Sequence, residues 1–499
     1  MKKILLLTGF VLAGLASCDK FLDINQDPNS PQGDQLTPSL IFPGAEMNLA
    51  THYGDYFRIQ GGYYAQHYSQ TFGTSNYTDY SRFIPSATSV NRSYTGLNIL
   101  CLKNLESVRE KATAGEEWGT YLAATVLRAF TFQVLADAFG EIPYSEALDI
   151  ANTVPHYDEG QAIYDGILAE IDEALGKASS SSPVCTNFLF GTSTAAEWIQ
   201  LANALKLKIL MRQSNIKNVS SQVAALIAEN NFPAADVAWS GIWADASGKA
   251  NPFYQEEFAT YFGSTQQNVI GNLALMKTLQ DVNDGRLGVI FDKNASGAYK
   301  GGISGTNYNA TTDNAHAATT WCRPIMKYNS PVYLITLAEI EFFLAEYYAR
   351  YGSAGDAQAH YEAAIEASFA TLGVAGASAI YSSGTYAYNN ADYKKLIGIQ
   401  KWVALSGVNN YEAWCELRRL KFPTFGSVTG NNLYDINAPY TYTPDPLVAG
   451  TLYTPISVNP DLGANKVLQR FKYPESSTAR NANVPAPKGD GTPVFWAAE

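Results

Sequence analysis

The chain has 499 residues, with 34 lysines and arginines against 46 aspartates and glutamates, so its formal net charge at pH 7 is −12. An acidic chain is poorly suited to the phosphate backbone of nucleic acid and to anionic lipid headgroups, which argues against both as binding partners. Only 16% of the residues are charged, whereas 13% are aromatic and 32 residues are tyrosine. This surplus of amphipathic rings indicates a surface that contacts sugar or peptide.

The first 17 residues are predicted to form a signal peptide. Lys2 and Lys3 give a positive start, residues 4–15 form a short apolar run, and small residues precede Cys18. The run is too short to span a bilayer and ends in a cleavable small-residue site. The cysteine makes the junction a lipobox, at which the Cys18 thiol takes a diacylglycerol and the new amine takes a further acyl chain such as palmitate. A plain secretory signal with an incidental cysteine is the alternative.

A polar tether and then the folded part of the chain follow the signal peptide. Residues 18–45, rich in Asp, Asn, Pro and Gln, are predicted to form the lipidated N-terminus and an extended tether. Residues 46–499 are predicted to form a single α-helical domain. Loop-rich insertions are expected near 53–92, 239–262, 292–322 and 372–392, where Gly, Asn, Ser, Thr and aromatic residues are abundant.

Helical periodicity dominates the folded part and is strongest in residues 338–369. The positions that fall at the offsets of a tetratricopeptide repeat are Leu344, Ala345, Tyr348, Gly352, Ala357, Tyr361 and Ala364. Further helix pairs are predicted at 121–139 with 162–175 and at 198–205 with 223–228. Three to four pairs would give each repeat the neighbours that it needs. The predicted fold is therefore mostly α, a tetratricopeptide-like scaffold whose long irregular loops carry the ligand site.

Four cysteines remain after Cys18, namely Cys101, Cys185, Cys322 and Cys415. An even number in an exported chain is compatible with one or two disulfides. Buried free thiols are the alternative, which the apolar helical surroundings of Cys101 and Cys415 favour.

Asp23, Asn25 and Asp27 alternate, and Asp34 stands where a calcium loop has its last carboxylate, but Pro28 stands where that loop needs glycine. Turn chemistry is therefore favoured over a calcium site. No zinc-ligand pair and no cofactor motif is found in the sequence.

Several separated segments resemble the SusD/RagB family of outer-membrane lipoproteins. Residues 19–31 are similar to the start of the mature proteins. Residues 127–144 resemble the arginine-bearing helix and the Gly-x-x-Pro turn of the family, and residues 331–346 its Ala-Glu helix. Residues 409–419 resemble the Glu-x-Trp…Arg-Arg segment, and residues 470–475 the Tyr-Pro-x-x-Glu signature. Leu417 stands where the family commonly has a second tryptophan, which points to a divergent subgroup.

The resemblance implies a surface-exposed, lipid-anchored outer-membrane protein. Such a protein binds an oligosaccharide nutrient and delivers it to a SusC-like TonB-dependent transporter, its membrane partner. Peptide is the alternative cargo, because tyrosine-rich clefts suit either ligand. Motif residues such as Arg128, Glu412 and Arg418 are interpreted as framework rather than ligand contacts.

The candidate ligand contacts are aromatic residues interleaved with polar ones. Seven tyrosines lie between residues 53 and 80, where even scatter would place about two. Sugar rings stack on aromatic side chains, and their hydroxyls need amide, carboxylate and guanidinium partners. Packing of the same tyrosines against the repeats is the competing interpretation. The predicted contacts are Tyr63, Tyr64, His67, Tyr68, Asn76, Tyr77, Tyr80, Arg82, Trp243, Tyr254, Tyr308 and Trp321, with Tyr77, Tyr80, Tyr308 and Trp321 favoured.

The sequence predicts a binding protein rather than an enzyme. None of the common motifs of metalloproteases, serine hydrolases, phosphate-binding loops or dinucleotide-binding folds is found in the sequence. A glycosidase needs only two suitably spaced carboxylates, so a surface glycosidase is the weaker alternative.

Overall fold

The structure is a computed structural model that describes residues 36–70, 76–191, 194–260, 268–305, 320–435 and 441–498. The signal peptide, Cys18 and most of the predicted tether lie outside the described residues. The prediction that the tether extends to residue 45 is wrong, because helix α1 begins at Pro38. Proline is well placed there, since the first N–H groups of a helix have no intrahelical acceptor.

The described residues are mostly helical. The longer helices are α1 (Pro38–His52), α2 (Arg58–Tyr64), α3 (Lys103–Ala114), α4 (Trp118–Phe139), α5 (Gly160–Lys177), α6 (Ala195–Arg212), α7 (Ser220–Glu229), α8 (Leu273–Asp281), α9 (Leu337–Tyr351), α10 (Ala354–Thr371), α11 (Tyr393–Ala404) and α12 (Asn410–Leu420). Single α-helical turns occupy Thr78–Ser81, Asn91–Thr95, Pro252–Tyr254, Leu287–Ile290, Ser378–Tyr381, Gly430–Leu433 and Glu475–Thr478. Segments of π-helix are Tyr53–Phe57, Gly96–Leu102 and Gln255–Thr260, and 3₁₀ turns are Asn390–Asp392 and Phe495–Ala497.

The strands are short and form two-stranded sheets. They are β1 (Tyr68–Gln70), β2 (Val237–Trp239), β3 (Val269–Gly271), β4 (Val332–Ile335), β5 (Thr424–Thr429), β6 (Tyr434–Asp435), β7 (Thr441–Tyr442) and β8 (Thr451–Thr454). Strands β1 and β3, β2 and β4, and β6 and β7 pair antiparallel, whereas β5 and β8 pair in parallel. The sheets fasten loops to the helical frame rather than forming a layer of their own.

The predicted tetratricopeptide-like scaffold is confirmed. Helices α4 and α5, α6 and α7, α9 and α10, and α11 and α12 pack as pairs. The pairs also contact one another in series, α5 against α6, α6 against α9, and α9 against α11. This stacking gives each pair the neighbour that a repeat needs to cover its apolar face.

The caps of α9 and α10 show why the best-predicted pair begins and ends where it does. The Thr336 hydroxyl accepts a hydrogen bond from the Glu339 N–H at 3.1 Å, and the Glu339 carboxylate accepts one from the Thr336 N–H at 3.0 Å. This reciprocal pair satisfies two N–H groups that would otherwise lack acceptors. Gly352 ends α9, and Ser353 caps α10 by accepting from the Asp356 N–H.

The prediction of a loop from residue 53 onward is wrong for its first part. Residues Tyr53–Phe57 form a π-helix that continues into α2, and almost all of this segment is buried. The glycines that suggested a loop serve close helix packing instead. A Cβ atom on Gly61 would lie 2.5 Å from the Cα atom of Tyr411 on α12.

A network of ionised side chains lies buried between the repeats. Five cations and five carboxylates take part, on α4, α6, α9, α11 and α12. Glu416 is its centre, because it pairs with Lys401 at 2.9 Å, with Arg419 at 2.6 Å and with Arg212. These cations hold the pKa of Glu416 well below its usual range although burial raises it. The other members are Asp137, Lys208, Glu339, Glu346, Arg350 and Glu412.

Helix α4 belongs to the interior of the protein. Among the described residues, α4 is the one helix long and apolar enough to cross a membrane, and it is entirely surrounded by protein. Its composition is therefore that of a core helix.

The four described cysteines are free thiols; Cys101, Cys322 and Cys415 are buried, and Cys185 is half-buried. The interpretation of buried thiols holds for three of them.

Candidate functional site

Four predicted ligand contacts lie in the core rather than on a surface. Tyr63, Tyr64, His67 and Tyr68 have no solvent exposure. The hydroxyl of Tyr68 donates to Asn410 Oδ1 at 3.1 Å, and burial lowers the pKa of His67 to about 3. The prediction that these residues contact ligand is wrong in this structure, because Tyr64, His67 and Tyr68 contact α12 and Tyr63 donates to the Asn268 carbonyl inside the protein.

One other tyrosine of the same segment, Tyr77, reaches the surface, whereas Tyr80 is buried, which corrects the prediction of Tyr80 as a ligand contact. The rings of Tyr77 and Tyr80 stack with centroids 5.4 Å apart and an angle of 14° between their planes. Tyr80 lies beneath and is 5% exposed, whereas Tyr77 and Asn76 are half-buried. Nearby, Arg82 is tied to the scaffold, since its Nε donates to the Ser457 carbonyl at 2.9 Å. Tyr77 is thus a solvent-accessible ring supported from below by a second ring.

A second aromatic stack lies on the segment 254–258. The rings of Tyr254 and Phe258 are 5.4 Å apart and nearly parallel, at 2°, and both side chains are half-buried. One turn of π-helix between them supplies this parallel arrangement. The guanidinium carbon of Arg323 lies 3.7 Å from the centroid of the Phe258 ring.

The two stacks belong to one surface. Glu256, on the turn between Tyr254 and Phe258, accepts a hydrogen bond from the Tyr56 hydroxyl at 3.3 Å. Burial raises the pKa of Tyr77, and the carboxylates of Glu257 and Glu256 and the phenol of Tyr56 are close enough to raise it further. We name this surface the aromatic face, defined by Tyr56, Tyr77, Tyr80, Tyr254 and Phe258 with Arg92, Glu256 and Arg323.

The polar groups of the aromatic face are of the kind that sugar hydroxyls need. Arg92, whose side chain is 51% exposed, pairs with Glu256 at 2.5 Å. Arg92 therefore offers exposed donors beside the rings, whereas the Glu256 carboxylate is buried, with a side chain 4% exposed. The sequence analysis did not single out Phe258, Arg92, Glu256 or Arg323. They come from three separate parts of the chain, around residues 92, 256–258 and 323, and no local spacing connects these parts.

The remaining predicted contacts lie elsewhere. Trp321 is 2% exposed and packs edge-on to Tyr442, and the Lys300 Nζ atom lies 4.6 Å from each ring centroid. Trp243 is 7% exposed and donates from its indole nitrogen to the Trp239 carbonyl. Both tryptophans are packed residues in this structure, which corrects their prediction as ligand contacts. Tyr308 lies outside the described residues.

The motif residues interpreted as framework have framework contacts. Arg128 pairs with Glu106 at 2.9 Å and with Glu170, and its guanidinium lies over the Phe132 ring. Arg418 is fully buried and donates to the Asp137 and Gln469 carbonyls, both at 2.8 Å. Their hydrogen-bonding capacity is thus used inside the protein.

Glu257 lies directly below the aromatic face. Its carboxylate accepts hydrogen bonds from the backbone N–H groups of Asn268 and Val269 at 2.8 and 2.9 Å. Burial raises the pKa of Glu257 to about 7, although these hydrogen bonds lower it. The ordinary pKa of a glutamate carboxyl, without burial, is about 4.5. Below this pH the protonated Glu257 contributes its full stabilisation, and this contribution is lost as the pH rises to about 7.

We therefore expect Glu257→Gln to gain stability over the wild type as the pH rises. Glutamine keeps an acceptor for both N–H groups and carries no charge, so the difference in free energy of unfolding should shift by about 2–3 kcal/mol between pH 5 and pH 8. Urea denaturation at both pH values measures this difference. The exposed Glu475→Gln provides the control and should show no shift; a shift equal in the two variants would contradict the expectation.

The comparisons with known proteins agree with this architecture. The sequence profile of the SusD-like family, described as "Starch-binding associating with outer membrane", matches residues 28–442. No curated protein matches the sequence.

Solved structures share the fold at low sequence identity. A chitin-binding SusD homolog from Flavobacterium johnsoniae has a TM-score of 0.72 at 18% identity, over 92% of this chain and 98% of that chain. A SusD homolog from Bacteroides fragilis has a TM-score of 0.69 at 20% identity, over 93% and 99%. One from Bacteroides uniformis has a TM-score of 0.68 at 20% identity, over 92% and 99%. At these identities the structures establish the fold, and the profile establishes the family: the chain belongs to the SusD-like proteins, which associate with the outer membrane.

Proposed function

We propose that this protein is a surface-exposed outer-membrane lipoprotein that binds an oligosaccharide and delivers it to a SusC-like TonB-dependent transporter. Family membership supports the nutrient-binding role and the association with the outer membrane. The lipobox at Cys18 supports a lipid anchor, since two or more acyl chains hold a protein stably on a membrane. The resemblance to the family supports the transporter partner and the outward orientation.

The observation that carries the proposal is the aromatic face. Tyr77 and the Tyr254–Phe258 stack present rings to solvent beside the ion pair of Arg92 and Glu256. The CH face of a sugar ring packs on such rings, and its hydroxyls bond to donors such as the exposed guanidinium of Arg92. Two structures with the same fold are described as chitin-binding, which supports a saccharide cargo over a peptide.

The carboxylates on and below the aromatic face support binding without turnover. Glu256 is held by Arg92 and Tyr56, and Glu257 is held by two backbone N–H groups. A glycosidase needs one carboxylic acid and one free carboxylate placed on either side of the scissile bond. We therefore propose that ligand is recovered intact after binding.

Tyr77→Ala is expected to weaken glycan binding at least tenfold. A stacked aromatic pair contributes about 0.5–1.5 kcal/mol beyond its buried area, and the area itself adds to this. The measurement is calorimetry or affinity electrophoresis against plant, host and microbial glycans, first with the wild type and then with the variant on each glycan that binds.

Tyr351→Ala is the matched control, because Tyr351 is 36% exposed and lies on α9, away from the aromatic face. It should bind like the wild type. Equal binding by all three proteins would exclude Tyr77 from the site. If no glycan binds and a peptide library does, the cargo is peptide; if the glycan is cleaved, the protein is a glycosidase.

A further inference from the structure

An open groove with a volume of about 500 Å³ lies beside the single turn Asn91–Thr95, outside the aromatic face. Its lining includes two of the most exposed aliphatic side chains in the described part of the chain, Ile99 at 56% and Ile150 at 79% exposure. Leu100 and Val154, the sequence neighbours of lining residues, are 45% and 46% exposed. Single exposed aliphatic residues are ordinary, but a cluster of four around one groove is typical of a binding surface.

The rest of the lining has the aromatic and polar groups that a saccharide needs. The ring of Tyr157 is half-buried, so one part of it faces the groove. Lys103 and Arg480 are exposed and offer donors, and Asn98 and Asp149 add an amide and a carboxylate. Ligand sites commonly have volumes of about 300–1,000 Å³ and a mostly apolar lining with a few polar groups. The groove fits this description.

One helical segment connects the groove with the aromatic face. Residues 91–114 are helical without a break. Arg92 of the aromatic face and Thr95, Ile99 and Lys103 are exposed positions of this segment. They recur every three to four residues, so they share its outer side. From Arg92 to Lys103 this exposed stripe is about 15 Å long. The groove and the aromatic face are therefore parts of one continuous surface.

Hydrogen bonds hold both walls of the groove in place. Ser476 donates from its N–H and its hydroxyl to Asn91 Oδ1 at 3.2 and 3.0 Å, which fixes one wall to the residue that precedes Arg92. Asn481 donates to the Pro155 carbonyl at 2.9 Å and so fixes the loop of the other wall. A surface that is fixed in this way loses little conformational freedom when a ligand binds.

We propose that the groove is a second section of the ligand surface, so that the cargo is an extended oligosaccharide long enough to contact the groove and the aromatic face together. This inference rests on the proposed glycan-binding function and specifies its ligand class. A monosaccharide or disaccharide can occupy one section only. An extended chain would pack sugar rings on Tyr77 at one end and on Ile99 and Tyr157 at the other. Its hydroxyls would meet Arg92 between them and Arg480 in the groove.

The test compares oligosaccharides of increasing length. The probes are malto-, cello-, xylo- and chito-oligosaccharides, each from the disaccharide to the hexasaccharide, and calorimetry measures their affinity. In the series that binds, short chains should bind through the aromatic face alone. Chains that reach the groove should bind at least about tenfold more tightly, because they cover further apolar side chains.

Three variants connect this gain with the groove. The double variant Ile99→Ser/Ile150→Ser should lose the gain of long chains over short ones. Tyr77→Ala should weaken short and long chains alike. Val448→Ser is the matched control, because Val448 is 65% exposed and lies in the loop before β8, and it should keep the gain. Thermal unfolding of each variant shows whether the fold is intact.

The double variant also separates the groove from a statistical effect of chain length. A longer chain can bind the aromatic face in more positions, which raises its affinity without any contact in the groove. That part of the gain would persist in the double variant, whereas the part that comes from the groove would be lost.

The outcomes distinguish this inference from the proposed function. Wild-type affinity that does not rise with chain length would overturn the inference and leave the glycan-binding function standing. The same holds if the double variant keeps the full gain, and the groove would then be available to a protein partner instead. An equal loss for short and long chains in the double variant would also overturn it. Binding to no glycan of any length would overturn both.

Discussion

Replacing Glu416 by alanine is expected to lower the free energy of unfolding by about 3–5 kcal/mol. The side chain is buried and pairs with Arg212, Lys401 and Arg419. Its removal leaves three buried cations with fewer carboxylates than they need, and a buried charge without its partner costs much more than the pair contributes. Urea denaturation followed by tryptophan fluorescence measures the loss.

Glu173→Ala is the matched control for this experiment. Glu173 pairs with Lys177 at 2.6 Å, but its side chain is 51% exposed. Surface pairs contribute about 0–1 kcal/mol, so the control should unfold almost like the wild type. A loss below about 1 kcal/mol for Glu416→Ala would mean that water enters the network, since only solvent could then replace the missing carboxylate.

Gly61→Ala is expected to destabilise the protein by about 3 kcal/mol or more, at the upper end of the range for overpacked cores. The added methyl would lie 2.5 Å from the Cα atom and 2.8 Å from the backbone nitrogen of Tyr411. Backbone atoms cannot rotate away as a side chain can, so α2 and α12 would have to move apart. The loss of tight packing should also lower the thermal unfolding midpoint.

Gly44→Ala tests the same change where there is space. Gly44 is exposed within α1, and no atom lies within 4 Å of the position of an added Cβ. Alanine is a better helix former, so this variant should gain about 0.5–1 kcal/mol. Opposite signs for the two variants would establish that Gly61 is required for close packing; a loss in both would indicate a general intolerance of the change.

The repeat scaffold could be predicted from the sequence because its determinants are local. The spacing of Leu344, Tyr348, Ala357 and Tyr361 follows the helical period, and Gly352 marks the break between α9 and α10. The segment from Tyr53 onward shows where this reasoning fails. Glycine favours loops in general, yet here Gly61 allows α2 to approach α12, a partner about 350 residues away in the chain.

The candidate site was predicted only in part. Tyr77 and Tyr254 are half-buried on the aromatic face, whereas Tyr63, Tyr64, Tyr80 and Trp321, which have the same chemistry, are buried. Composition indicates how many rings a segment has and not which of them tertiary packing covers. Arg323 was missed for the same reason, since its only distinction is a contact with Phe258 across 65 residues of chain.

The buried charge network limits how this scaffold can change in evolution. Repeat proteins commonly lengthen or shorten by gain or loss of a whole helix pair, because each pair contacts only its neighbours. Here the charges of α4, α6, α9, α11 and α12 neutralise one another across several pairs. Duplication or deletion of one pair would strand unpaired charges in the interior. New specificity is therefore expected to arise by substitution and insertion in the segments that connect the helices, while the number of repeats stays constant.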